Sequence, residues 1–179
     1  MEDYAYVLDV LPEGRPDSKR RFRREPVIYG LGIEEFKIFD MEPVPDAAIN
    51  IGDRCYIGKE TEERTQIDHV RARVNYVELT HTAQSELGFV LDEIVKENEE
   101  KFIQFFNHAG PISRRYHSLE LIPGLGKKTM NLIVANRPYS TFKEMEEKIP
   151  NFRSPEKYIS QRIENEIKES DQKYRLFVR

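Results

Sequence analysis

The sequence predicts an α+β protein, a small β-barrel followed by a helical domain. Three observations predict it. Short stretches rich in β-branched and aromatic residues, bounded by glycine and proline, recur through the first 81 residues. From Thr82 the apolar period changes to that of a helix. Two helix–turn–helix patterns then follow before the C-terminus. The expected divisions are a barrel over 1–81, connecting helices over 82–111, a helical domain over 112–170 and an extended tail over 171–179.

The elements follow in order. Residues 4–11 read Tyr-Ala-Tyr-Val-Leu-Asp-Val-Leu, a strand. Residues 12–26 form a polar, basic loop containing Pro12, Pro16 and Pro26. Residues 27–30 begin a second extended stretch, and residues 35–41 alternate as a third. Residues 51–58 read as a turn entering a short strand between Gly52 and Gly58. Ile67, Val70, Val74, Val77 and Leu79 predict one or two strands over 66–80. Several short strands at this spacing suggest a barrel or curled sheet. Thr82 is placed to cap a helix over 83–96, with Leu87, Val90, Leu91, Ile94 and Val95 on one face. Residues 98–107 continue or restart it, ending at Gly110-Pro111.

Residues 113–121 are read as the first helix of a hairpin motif. Ile122-Pro123-Gly124-Leu125-Gly126 is too rich in turn residues to prolong it. Leu125, Thr129, Leu132 and Ile133 then recur at helical spacing. Gly124 and Gly126 are both expected to allow positive φ and close approach of a ligand. The free N–H groups opening the second helix favour an anion, and Lys127 and Lys128 add charge beside them. A weaker echo follows: a short helix over 142–149, a turn over 150–155 and a longer helix over 156–170. Both hairpin glycines are missing from this second unit, so its expected part is packing against the first. Asn151 and Arg153 are its lesser candidates for a phosphate contact. Residues 174–178 read as a final strand returning to the N-terminal sheet.

The charge distribution adds to this. The net charge is −4, unpromising for a nucleic-acid binder. Residues 112–138, however, hold five basic residues against Glu120 alone. A second cluster, Arg15, Lys19, Arg20, Arg21, Arg23 and Arg24, has only Asp17 to oppose it. Residues 31–68 are acidic. Local patches rather than net charge form the electrostatic footprint.

Other classes find less support. No apolar run approaches the ~20 residues that span a bilayer. The first residues are acidic, so no secretory leader is expected. Cys55 is the single cysteine, which removes an intramolecular disulfide and paired-cysteine zinc sites, and fits a cytoplasmic location. His69, His81, His108 and His117 lack metal-site spacing. Asp40, Asp53 and Asp68 are candidate Mg²⁺ ligands only if the fold gathers them. Tyr4, Tyr6, Tyr29, Phe36, Phe39 and Tyr56 offer a stacking platform, but a small β-domain needs most of them inside, leaving one or two exposed at most.

The segment Ile122-Pro123-Gly124-Leu125-Gly126-Lys127-Lys128 resembles the helix-hairpin-helix motif, which grips a nucleic-acid backbone. The resemblance implies N–H donors at Gly124 and Gly126 and charge from Lys127 and Lys128. It also implies a monovalent cation, K⁺ or Na⁺, held by the backbone carbonyls of Glu120, Ile122 and Leu125. Met130 departs from the small residue common at its place, which bears on how closely the helices pack. The second unit resembles a degenerate copy of the motif, and the N-terminal half an OB-type barrel. Phe105-Phe106-Asn107-His108-Ala109 leading to His117-Ser118-Leu119 and the hairpin resembles an uncharacterised, mainly archaeal family. That family carries a provisional description as RNA- or nucleotide-binding.

The expected function is therefore non-catalytic nucleic-acid binding, with RNA favoured over DNA and no membrane partner. Contacts would run through Gly124, Gly126, Lys127 and Lys128, and through Arg20, Arg21, Arg23 and Arg24 of the basic loop. The alternatives are a Mg²⁺-dependent nuclease with scattered carboxylates and a protein-interaction adaptor using the acidic surface of 31–68.

Overall fold

The computed structural model describes residues 1–15 and 25–179. Chain contacts divide it into two compact units, Met1–Val90 with Ile167–Arg179, and Leu91–Glu166. The boundaries fall inside two helices, α1 (His81–Glu97) and α5 (Pro155–Lys168).

Among the described residues the first unit carries five strands: β1 (Tyr4–Leu11), β2 (Val27–Gly32), β3 (Ile38–Pro43), β4 (Arg54–Tyr56) and β5 (Ile67–Arg73). They form one sheet in the order β4-β1-β2-β3-β5, every neighbouring pair antiparallel. The expected α+β class and OB-like barrel are borne out as a curled half-barrel, with β4 and β5 as its two edges. Register shifts at Val7/Asp9 in β1 and at two places between β3 and β5 mark bulges, which bend and twist a strand. Ala5, Val7, Ile28, Met41, Cys55, Ile57 and Ile67 close on one another as its core. Burial pushes the Cys55 thiol up to about 11, so it is a core atom rather than a nucleophile.

Residues 66–80 give one strand, not two. After β5 the chain forms a 3₁₀ turn, Tyr76–Glu78, because Glu78 folds back to accept the Asn75 N–H at 2.6 Å. Thr80, rather than Thr82, caps α1. Its Oγ1 accepts the Ala83 N–H at 3.1 Å and donates to the buried Asp9 Oδ2 at 2.6 Å. The strand expected over 174–178 does not form. That tail joins the first unit through Val178, which is buried, and through the Arg179 N–H, which donates to the Glu35 carbonyl.

The second unit contains α2 (Glu99–His108), a 3₁₀ turn (Ser118–Leu121), α3 (Lys127–Ala135), α4 (Phe142–Lys148) and most of α5. Phe102, Ile103 and Phe106 are the buried face of α2. Phe106 meets Phe152 edge-on at 6.3 Å, and Phe152 meets Tyr158 at 4.9 Å. Asn107 clasps the chain entering α4, donating to the Tyr139 carbonyl at 2.8 Å and accepting the Tyr139 N–H at 2.7 Å. Thr141 caps α4 by accepting the Glu144 N–H.

Candidate nucleic-acid interface

The stem of the hairpin is shorter than the sequence predicts. Only Ser118–Leu121 is helical, and it is 3₁₀. Residues 113–116 form a tight turn instead. Ser113 Oγ accepts the N–H groups of Arg115 and Tyr116 at 3.3 and 3.2 Å, offering the backbone an alternative to helix. Pro111 bridges His117, and the Tyr116 carbonyl accepts the Ile112 N–H at 2.8 Å. His117 then caps the 3₁₀ turn. Its Nδ1 accepts the Leu119 N–H at 3.1 Å, while Glu120 Oε2 accepts the His117 N–H at 2.7 Å. Burial holds the His117 pKa below the usual imidazole value, and the nearby Arg137 charge lowers it further against the pull of Glu120. The ring is thus neutral at Nδ1, as an acceptor must be.

The two hairpin glycines turn out to do different things. Gly124 has φ +80°, in the left-handed region that disfavours a side chain. Gly126 has φ −77° and ψ 165°, ordinary extended backbone, and is the N-cap of α3. The expectation of positive φ at both is corrected: one left-handed residue reverses the chain, and the helix entry needs an extended N-cap. A Cβ at Gly126 would have no atom within 4 Å, so its surface is open. The first N–H bonded within α3 is that of Met130, to the Gly126 carbonyl at 2.9 Å. The N–H groups of Lys127, Lys128 and Thr129 ahead of it are therefore the orphan donors of the helix start. Lys127 and Lys128 are exposed, and neither makes an ion pair or hydrogen bond with another described residue.

The second helical pair supports the first hairpin. Arg162, buried in α5, donates Nη1 to the Leu121 carbonyl at 3.0 Å and Nε to Glu166 at 2.8 Å. Tyr158 lies beneath Gly124, its Cε1 3.4 Å from where a Cβ would stand. The second turn also repeats the first in its backbone. Ile149-Pro150-Asn151-Phe152 matches Ile122-Pro123-Gly124-Leu125, with φ +61° at Asn151 and the Phe152 N–H donating to the Ile149 carbonyl at 3.4 Å. The equivalent bond, Leu125 N–H to the Ile122 carbonyl, measures 3.2 Å. Asparagine tolerates the left-handed position that glycine fills in the first copy, so the repeat survives loss of the glycine.

The three carbonyls expected to hold a monovalent cation differ in what they accept. Those of Glu120 and Leu125 accept no hydrogen bond from a described residue, since Pro123 has no N–H to offer Glu120. That of Ile122 accepts one and keeps a second lone pair. Carbonyl oxygens are the donor type that a hard cation takes.

The other candidates are dispersed. Arg20, Arg21, Arg23 and Arg24 lie outside the described residues. Arg15, at the edge of that loop, donates to the Tyr29 hydroxyl at 3.0 Å and to the Glu78 carbonyl. Asp40 pairs with Arg71 at 3.1 Å, Asp53 accepts the Asn50 N–H at 2.8 Å, and Asp68 pairs with His69 at 2.6 Å. Among the described residues no three His, Cys, Asp or Glu side chains gather where they could hold a metal ion. The barrel aromatics are inside: Tyr6, Tyr29 and Phe36 are buried, and Tyr4, Phe39 and Tyr56 are partly so. Arg54 covers the Tyr4 ring at 3.9 Å. Among the described residues the well-exposed aromatics are instead Phe89 on α1 and Tyr116 in the turn before the hairpin, and hydrophobic periodicity gave no signal for Tyr116. No helix among the described residues is long and apolar enough to cross a membrane.

Fold and site together define an α+β protein in which a curled half-barrel is joined to a helical unit bearing a glycine hairpin. The chain belongs to the DUF655 family, described as proteins of unknown function, whose sequence pattern matches residues 1–179. It is 43% identical over 182 residues to an uncharacterized protein, MJ0038, of the archaeon Methanocaldococcus jannaschii, covering 99% of this chain and 80% of that one. The crystal structure of the family's Af1531 from Archaeoglobus fulgidus superposes with a TM-score of 0.90 at 40% identity, covering 99% of this chain and 100% of that one. The resemblance to an uncharacterised archaeal family is thereby borne out.

Proposed function

We propose that this protein is a non-catalytic nucleic-acid-binding protein that grips backbone phosphates with the hairpin from Gly124 to Lys128. The observation that carries the reading is the open Gly126 surface above three orphan N–H donors, flanked by two lysines that pair with no other described residue. An anion there gains the helix dipole and charge-assisted hydrogen bonds at once. Gly124 sets the reversal that brings the N–H groups to the surface, and Arg162 holds the stem. A K⁺ or Na⁺ ion on the carbonyls of Glu120, Ile122 and Leu125 would add positive charge at the hairpin. Arg20, Arg21, Arg23 and Arg24 supply a second contact. RNA is favoured over DNA on the family resemblance, since phosphate contacts distinguish the two poorly. A cytoplasmic location accords with this reading.

The test is the salt dependence of binding to RNA and DNA panels. Log affinity should fall linearly with log salt, by roughly 0.7 to 0.9 per neutralised phosphate. A salt-independent affinity, or no binding at all, removes the reading.

A further inference from the structure

We infer that the turn Ser113-Arg114-Arg115-Tyr116 is a further nucleic-acid contact, in which Tyr116 stacks on an unpaired base beside the backbone held by the hairpin. The inference rests on the phosphate-gripping reading of that hairpin and extends it to a class of ligand: a strand that carries a single-stranded segment next to the gripped backbone.

Four observations carry it. Tyr116 is 55% exposed, although an aromatic ring gains most from burial. Arg114 and Arg115 directly precede it, both exposed, and neither guanidinium makes a hydrogen bond or ion pair with another described residue. The turn is rigidly built. Ser113 Oγ takes the N–H groups of Arg115 and Tyr116, and the Tyr116 carbonyl takes those of Ile112 and Ser113 at 2.8 and 3.2 Å. A ring presented on such a turn loses little entropy on binding. The fourth observation is position. The turn leads straight into His117 and the 3₁₀ stem of the hairpin. With about 2 Å per residue in the stem and at most about 3.6 Å elsewhere, Tyr116 and Gly124 are no more than roughly 24 Å apart. A short run of nucleotides spans that distance.

The other well-exposed aromatic among the described residues is a useful contrast. Phe89 is 70% exposed on α1, but Glu86, Asp92 and Glu93 lie three and four residues from it on the same helix. Those carboxylates repel a phosphate backbone. Around Tyr116 the charge has the opposite sign, which is the combination of stacking ring and cation that single-strand binders use.

The experiment compares the full-length chain on a blunt RNA duplex and on the same duplex extended by a short overhang containing 2-aminopurine. Tyr116→Ala should weaken binding to the overhang ligand roughly 5- to 100-fold and leave the blunt duplex unchanged. The parent should quench 2-aminopurine fluorescence, Tyr116→Phe should keep the quench, and Tyr116→Ala should lose it. Arg114→Ala with Arg115→Ala should make the salt slope on the overhang ligand shallower by about 1.4. A folded Tyr116→Ala variant that binds the overhang like the parent overturns the inference alone. Equal loss on both ligands overturns it too, since a stacked base exists on only one. A parent that binds neither ligand ends both this inference and the hairpin reading.

Discussion

The Arg162 guanidinium donates to the Leu121 carbonyl at 3.0 Å, so a side chain of α5 holds the last residue of the stem that leads into the glycine hairpin. The same guanidinium neutralises Glu166, which is 1% exposed, through a 2.8 Å bond one helical turn away. One buried cation thus ties the second helical pair to the stem of the first hairpin.

Removing that cation should be costly. Arg162→Met takes the 2.8 Å guanidinium partner away from buried Glu166 and should destabilise the chain, by up to about 3–5 kcal/mol. Arg162→Met combined with Glu166→Leu should recover most of the loss, because an apolar pair needs no neutralisation. Urea denaturation of the three proteins reads both effects. Single and double variants of equal stability would show that the pair is not coupled.

The two glycines should separate in their effects. Gly124→Ala places a Cβ at φ +80° and should cost about 1–2 kcal/mol, weakening binding through the distorted turn. Gly126→Val meets no neighbour and should melt within a few degrees of the parent, yet lose most binding by covering the N–H donors. Thermal melts run beside each affinity measurement decide this. A folded Gly126→Val variant with parental affinity would mean the hairpin is only a turn.

Lys127→Ala with Lys128→Ala should produce a graded loss. Charge goes while the N–H donors remain, so the salt slope should become shallower by about 1.4 to 1.8 for two phosphates. Affinity titrations at several salt concentrations give the slope directly. An unchanged slope would place the ligand elsewhere.

Acid should loosen the hairpin stem through His117. Its pKa is lowered in the folded chain, so between the folded value and the usual ~6.5 the unfolded state binds more protons. Stability is then full above about pH 6.5 and falls as pH drops through that window, levelling off below the folded pKa. Protonation at Nδ1 also ends its acceptance of the Leu119 N–H. His117→Asn keeps a capping acceptor without titrating and should lose this part of the pH dependence. NMR titration of the ring checks the sign: a midpoint above 6.5 would refute it.

Much of this protein is readable along the chain. The switch from β-rich stretches to helical periodicity near Thr82 corresponds to α1 beginning at His81. The Pro-Gly-x-Gly hairpin lies where its turn residues put it, between the Ser118–Leu121 stem and α3. Local signals succeed there because proline and glycine restrict or free φ whatever surrounds them. The same locality misleads at residues 113–116. Their composition suits a helix, but Ser113 captures two backbone N–H groups and turns the chain.

By itself the sequence determined the α+β class, the place of the hairpin, the charge contrast between residues 31–68 and 112–138, and family membership through its full length. Those properties follow from composition, period and short motifs. Only the tertiary structure decided which glycine takes positive φ, that Tyr116 is exposed, and that Arg162 reaches the Leu121 carbonyl. Each of these depends on which distant residues fill the space around a side chain, and side-chain spacing along one strand or helix carries no record of what packs across from it.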